Sequence, residues 1–204
     1  MRPDADITAC TAAQASVLRT IEGLRDDDAR RPSLLPDWSV GHVLTHLARN
    51  ADSHVHMLDG AKVGEVRWQY SSPEQRESDI EAGADRPAAA LVDDVRTAFA
   101  ALEAAWSATT DDVWANGRSR SNAGELPVAD QVFRRWGEVE VHHSDLGFGF
   151  TPEDWSDPYV AKKLPLVLAA VELDEVPEAD DRRLLAWLLG RSVEPGWPAI
   201  GQWR

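Results

Sequence analysis

Residues 38–47 read WSVGHVLTHL, and residues 135–147 read RWGEVEVHHSDLG. Both segments have a pattern typical of helices, and the six histidines of the chain lie in or just after them. Histidines spread at random over a surface would not cluster in this way. The clustering predicts a shared site, such as a metal site, between two helices of a helical protein. The histidines are His42, His46, His54, His56, His142 and His143.

Apolar residues recur every three or four positions along four long parts of the chain, which predicts four amphipathic helices. These helices cover about residues 7–24, 39–58, 87–106 and 128–146. No part of the chain alternates apolar and polar residues over a sustained run, so we expect little sheet. Four amphipathic helices without an internal repeat predict a four-helix bundle and a mainly all-α fold.

The rest of the chain is predicted to be loops and short helices. Residues 60–84 are loop-like with a short helix near residues 73–81, and residues 111–127 are predicted to be a polar loop. After residue 155, two further helices are expected over residues 160–171 and 177–190, followed by a coil tail. We therefore expect a bundle domain over residues 1–156 and a short C-terminal helical extension over residues 157–204.

The composition indicates which partners to expect. A formal net charge of −14 argues against binding to nucleic acid or to an anionic membrane surface. The apolar runs are too short for a transmembrane span, and residues 1–10 do not resemble a signal peptide. We expect a cytoplasmic protein, monomer or homodimer, that acts on a small molecule.

Cys10 is the single cysteine, so no intrachain disulfide can form. It lies on the apolar stripe of the first predicted helix, where a buried, inert thiol is expected rather than a nucleophile. Any thiol chemistry would therefore need an external thiol.

Two Glu–His pairs on the fourth predicted helix are candidates for metal ligands. Glu138 and His142 are about 40° apart on the helical wheel, and Glu140 and His143 are about 60° apart on a different face. Both pairs flank the apolar stripe, so periodicity alone does not choose between them. Either pair is also compatible with ordinary polar residues at the edge of a helix.

The second predicted helix offers a third ligand. His42 and His46 share one face of it, and His54 is rotated away from that face. Two histidines and one glutamate would leave one coordination position open, which is the pattern of catalytic zinc sites.

The segments at residues 35–50 (LPDWSVGHVLTHLARN) and 138–147 (EVEVHHSDLG) resemble the mycothiol-dependent maleylpyruvate isomerase family. This family lies within the DinB-like superfamily of metal-binding four-helix bundles. Weaker similarities lie at residues 76–86, 150–155 and 184–191. The resemblance implies a divalent metal, usually zinc, and mycothiol as cofactors. It also implies that the metal ligands are His46, Glu138 and His142.

Two features depart from the family pattern. Gly137 stands where family members often carry a basic residue before the metal-binding glutamate, and the C-terminal part reads as shorter than the family's small α/β domain. Arg191 resembles an arginine that family members present to the site, which implies a catalytic, anion-binding role. A charge near a helix C-terminus is the alternative role. For Asp145, the alternatives are orienting a metal ligand or facing solvent.

The resemblance implies a metal- and mycothiol-dependent isomerase of maleylpyruvate or a related enoyl acid. A metal-activated thiolate would add to the conjugated double bond, and rotation and elimination of the thiol would follow. One alternative is a mycothiol S-transferase, which adds the thiol to an electrophile and stops there. A second is a non-catalytic bundle that binds a metal or a thiol, and the residues do not separate these alternatives.

Overall fold

The computed structural model describes residues 1–122, 124–172, 175–198 and 200. It divides the chain into two compact units, Met1–Leu146 and Gly147–Arg204. This boundary lies ten residues before the one predicted from the sequence, between residues 156 and 157. The described residues are mainly helical, with one small two-stranded sheet, so the predicted fold class is confirmed.

The first unit is built around the four predicted long helices. α3 packs against α5 and α7, and α1 packs against α7 and α5, which closes a four-helix bundle. The facing apolar stripes form its core and bury residues such as Val17, Leu44, Leu102 and Val139. The four helices are α1 (Asp4–Thr20), α3 (Val40–Lys62), α5 (Ala88–Ser107) and α7 (Val128–Asp145).

Shorter elements connect the long helices: α2 (Asp26–Arg30), α4 (Pro73–Ala84), α6 (Asp111–Asn116), β1 (Arg118–Ser121) and β2 (Gly124–Pro127). The prediction of a loop over residues 111–127 is therefore wrong, because α6 and an antiparallel hairpin lie there. Cross-strand pairs stabilise this hairpin: Glu125 accepts hydrogen bonds from Arg118 and Arg120. Strands of four residues are too short to show a period in the sequence.

The N-terminus of α3 is held by a reciprocal cap. The Ser39 side chain accepts a hydrogen bond from the His42 backbone, and His42 Nδ1 accepts one from the Ser39 backbone at 3.1 Å. This arrangement is a capping box in which histidine takes the place of the usual glutamate. It starts α3 at Val40, a little less than two turns before His46.

A close approach brings α4 onto α3. A Cβ atom on Gly41 would lie 2.1 Å from the backbone oxygen of Ala84, so a residue with a side chain could not occupy position 41 at this spacing. A Cβ atom on Gly83 would likewise lie 2.4 Å from Thr45 Cγ2, so the two helices also approach closely there. These contacts place α4 beside the N-terminal half of α3, where His46 lies.

The second unit contains a short 3₁₀ helix, Pro152–Asp154, and two helices, α8 (Asp157–Leu168) and α9 (Asp181–Leu188), which pack together. Both helices were predicted. Arg182 Nε donates a hydrogen bond to the backbone oxygen of Trp155 at 3.0 Å, which ties α9 to the start of the unit. Part of the predicted coil tail, residues 199 and 201–204, lies outside the described residues.

Among the helices that the structure describes, none is both long enough and apolar enough to cross a membrane.

Candidate metal centre

Three side chains from two helices of the bundle meet at one point. Glu138 and His142 lie one turn apart on α7, and His46 faces them from α3. His46 Nε2 is 2.9 Å from Glu138 Oε2, and His142 Nε2 is 3.6 Å from the same oxygen. One ligand atom from each residue lies within 4.8 Å of the other two. The structure thus brings together the three residues that the family resemblance singled out.

The cluster is buried on the histidine side and accessible on the glutamate side. The side chains of His46 and His142 are 2% and 0% exposed, whereas that of Glu138 is 17% exposed. The Trp38 ring lies 5.6 Å from the His46 ring, centre to centre, and forms part of the wall. A small molecule would therefore reach the cluster past Glu138.

Asp145 orients His142. His142 Nδ1 donates a hydrogen bond to Asp145 Oδ2 at 2.8 Å, and the Asp145 side chain is only 2% exposed. A proton held on Nδ1 leaves Nε2 as the nitrogen with a lone pair, and Nε2 is the atom nearer Glu138. The alternative of a solvent-facing Asp145 is wrong.

Burial and hydrogen bonding set the charges of the three groups. Burial lowers the pKa of His46 to about 4, although Glu138 works against this shift. Burial alone would raise the pKa of Glu138, but the two imidazoles beside it, His142 and His46, hold it well below its usual value. Burial also opposes the charged form of His142, but Asp145 and Glu138 outweigh it and raise its pKa. Glu138 is therefore an anion between two imidazoles.

The other Glu–His pair of α7 is used elsewhere in the bundle. Glu140 accepts a hydrogen bond from Trp136 Nε1 at 2.9 Å, and His143 Nε2 lies 2.7 Å from Thr20 Oγ1 on α1. Tertiary packing thus separates two pairs that periodicity left equivalent.

The remaining histidines have other environments. His42 caps α3, and its Nε2 lies 3.1 Å from the exposed Glu81 carboxylate. His54 is buried and His56 is exposed, both on the second half of α3. None of these three belongs to the His46 cluster.

Arg76 was missed as a site residue by sequence reasoning. It lies on α4, and its Nη2 is 3.3 Å from His46 Nδ1. Its guanidinium carbon lies 6.0 Å from the centre of the Trp38 ring and 5.8 Å from that of Tyr70. α4 is a polar helix with a weak apolar stripe, so its pattern did not indicate what it faces.

Arg191 belongs to the second unit and follows α9. Its backbone N–H donates to the Ala186 oxygen at 2.7 Å, and its Nη1 donates to the Leu189 oxygen at 2.7 Å. These contacts are those of a residue at a helix C-terminus. The catalytic role of Arg191 stays a prediction.

The fold and the cluster define a four-helix bundle with a His–Glu–His group buried between two of its helices. A family model described as the mycothiol maleylpyruvate isomerase N-terminal domain matches residues 10–147, which include all three residues of the group. The chain belongs to this family.

Two solved structures are similar over their whole length. One is a crystal structure of the mycothiol-dependent maleylpyruvate isomerase, with a TM-score of 0.85, and the other is a histidine-to-alanine mutant of it, with a TM-score of 0.87. Each is 20% identical to this chain, with 100% of this chain and 98% of that chain covered. No curated protein sequence matches the chain.

His54 gives a prediction about stability and pH. Burial, with help from Arg135 and Arg134, lowers its pKa to about 3, whereas the unfolded chain has the ordinary value of 6.5. Below pH 6.5, His54 therefore binds a proton in the unfolded state but not in the folded state, and the free energy of unfolding falls as the pH falls. The slope per group is at most about 1.4 kcal/mol per pH unit. We expect His54→Gln to reduce the loss of unfolding free energy between pH 7 and pH 5, measured by urea titration.

His56→Gln is the matched control on the same helix, because His56 is exposed. It should leave the pH dependence unchanged. Equal pH dependence in the His54 variant and the wild type would contradict the explanation.

Proposed function

We propose that this chain is a metal- and mycothiol-dependent enzyme that isomerises maleylpyruvate or a related enoyl acid, with a divalent metal held by His46, Glu138 and His142. The observation that carries the proposal is the buried His–Glu–His group, which lies inside the segment that places the chain in the family. The activity named for the two similar structures supports the choice of reaction.

The residues of the group fit a metal ion in both spacing and charge. A tetrahedral ion with bonds of about 2.0–2.1 Å holds its ligand atoms about 3.3 Å apart. The two distances to Glu138 Oε2, 2.9 and 3.6 Å, lie on either side of this value. Two neutral imidazoles and one carboxylate offset a single charge of a divalent ion. Two nitrogens and one oxygen in this spacing favour zinc, with a fourth position for a ligand from outside.

A divalent cation at this place would supply positive charge that lowers the pKa of a thiol bound in the fourth position. The protein's own residues prepare the site. Asp145 keeps the His142 proton on Nδ1. Trp38 and the buried histidines keep bulk water from one side. Glu138 remains ionised at neutral pH, because its pKa lies well below the usual value.

The thiol must come from outside the protein. Cys10 is the single cysteine, is fully buried, and has its pKa raised to about 12 by burial. Such a thiol stays protonated and out of reach of a substrate. Mycothiol would supply a reversible nucleophile. Its addition would convert the conjugated C=C bond into a single bond, and rotation about that bond could precede elimination of the thiol.

The metal prediction concerns His46 and His142. We expect His46→Ala and His142→Ala to weaken metal binding by at least about a hundredfold, because changes to mere hydrogen-bond partners of ligands already cost 10–100-fold. Metal content after dialysis, measured by inductively coupled plasma mass spectrometry, checks this.

His143→Ala is the control, because His143 bonds Thr20 rather than the cluster. If it loses metal and the other two variants keep it, the ligands lie on the other face of α7.

The thiol prediction concerns Cys10. Turnover of maleylpyruvate should require added mycothiol, and Cys10→Ser should keep most of that turnover, since Cys10 is buried in the core and is not one of the three cluster residues. Product analysis by NMR checks the reaction. A trans product with mycothiol regenerated agrees with isomerisation, whereas a stable thioether would favour the S-transferase. Loss of turnover in a folded, metal-containing Cys10→Ser protein would contradict an external thiol.

The Arg191 prediction tests the anion-binding role that the family resemblance implies for this residue. An anionic substrate needs a local positive charge in a protein with a net charge of −14. If Arg191 supplies it, Arg191→Ala should lower kcat/KM roughly tenfold or more, with unchanged metal content.

Arg183→Ala is the control from the same unit, because Arg183 pairs with Glu194. If Arg191→Ala has normal kinetics, Arg191 does not bind the substrate and is only a charge at the end of a helix.

A further inference from the structure

We propose that Arg76 binds a carboxylate of the substrate beside the His46–Glu138–His142 group. The proposal rests on the proposed function, and it names the residue that selects anionic substrates. It follows from the position of Arg76 and from its hydrogen bonds.

The position of Arg76 is set by the packing of α4 on α3. The guanidinium carbon of Arg76 lies 6.0 Å from the centre of the Trp38 ring and 5.8 Å from that of the Tyr70 ring, and Nη2 lies next to His46. Cation–π contacts of this kind hold a guanidinium in place without using its N–H donors. The side chain is 17% exposed, like that of Glu138, so a ligand that reaches Glu138 from solvent can also reach Arg76.

The hydrogen bonds of Arg76 leave capacity for a ligand. Among the described residues, it donates through Nη1 to Glu77 Oε1 at 2.5 Å and through Nη2 to His46 Nδ1 at 3.3 Å. A guanidinium has five N–H donors, so these contacts use two of them. Glu77 is 61% exposed, and an ion pair with an exposed side chain contributes little. A substrate carboxylate can displace it at low cost.

The contact with His46 depends on which nitrogen of the ring carries the proton. In the structure, His46 Nε2 can donate to Glu138 while Nδ1 accepts from Arg76. If Nε2 is instead a metal ligand, the proton of the neutral ring must lie on Nδ1. Nδ1–H and the Arg76 N–H are then two donors that face each other, and both need an acceptor. A carboxylate oxygen next to them can accept from both.

The neighbouring arginines are engaged elsewhere. Arg135 is fully buried and bonded within the core. Arg49 pairs with Asp94 and Asp52, and Arg86 also donates to Asp94. Arg49 and Arg86 thus share Asp94, whose side chain is only 18% exposed, whereas the acidic partner of Arg76 is Glu77, which is 61% exposed.

Calorimetric titration of the zinc-loaded protein with maleate, a cis-dicarboxylate without a reactive ketone, tests the proposal. We expect Arg76→Gln to weaken maleate binding roughly tenfold or more, because a charge-assisted, two-pronged contact is lost. The maleate affinity of Arg76→Lys should lie between those of the wild type and of Arg76→Gln, since lysine keeps the charge but lacks the planar guanidinium. Metal content should be the same in all three proteins.

Arg96→Gln is the charge-matched control, because Arg96 is an exposed residue of α5 that pairs with Asp93. It changes the net charge equally and should bind maleate like the wild type. Equal weakening in both variants would mean that only the overall field matters, and would overturn the subsite. Wild-type binding that is absent, or unchanged in Arg76→Gln, would also overturn it.

Two further readouts separate this proposal from the proposed function and from a structural role. If maleate binding depends on Arg76 but the zinc-loaded protein with mycothiol does not isomerise maleylpyruvate, the subsite stands and the proposed function fails. If the enzyme is active but maleate binding is unchanged in Arg76→Gln, the proposed function stands and the subsite fails. Thermal melting of Arg76→Gln and Arg76→Lys checks the fold. In the active enzyme, KM should rise more than kcat falls.

Discussion

The bundle depends on a buried positive charge, Arg135. This guanidinium is 0% exposed, and burial lowers its pKa. It donates to Gln14 Oε1 on α1 and to the Leu47 backbone oxygen and Asn50 Oδ1 on α3, and it lies 4.8 Å from the centre of the Phe99 ring on α5. One side chain of α7 thus contacts the other three long helices. Because a buried charge that loses its partners costs several kcal/mol, these contacts restrict the rotation of α7. Glu138 lies one turn beyond Arg135, so the same restriction turns it toward α3.

The same network reaches the candidate metal centre through Asn50. Asn50 Oδ1 accepts from Arg135, so its amide nitrogen is turned the other way and lies 3.4 Å from the Tyr70 hydroxyl. Tyr70 lies beside Arg76, which in turn contacts His46. The site is therefore a polar layer inside the bundle, with buried groups on one side and partly exposed ones on the other. Burial lowers the pKa of His46, whereas Asp145 and Glu138 raise that of His142, so the two imidazoles that flank Glu138 lie in different electrostatic environments.

Much of the fold could be predicted, because helix periodicity is local. The four long helices, α8 and α9 all appear as apolar stripes of period near 3.6, and the structure has a helix in each place. The features that were not predicted, such as the β1–β2 hairpin, depend on contacts that a local sequence pattern does not show. The hairpin depends on pairs such as Arg120 with Glu125, and it also bridges to Trp68. Asp145 reads as a helix-end carboxylate, yet it is buried because His142 and the rest of the bundle surround it.

The sequence by itself determined the bundle, the clustering of histidines on two helices, and the lack of an accessible thiol. Its similarity to a known family, rather than its spacing, singled out His46, Glu138 and His142. Only the tertiary structure decided which face of α7 meets α3, because both Glu–His pairs flank the apolar stripe, and the packing around Arg135 sets the rotation of the helix. Only the tertiary structure placed Arg76 beside His46. That contact requires α4 to approach α3 at Gly41, and such an approach joins residues far apart in the chain, which no local period records.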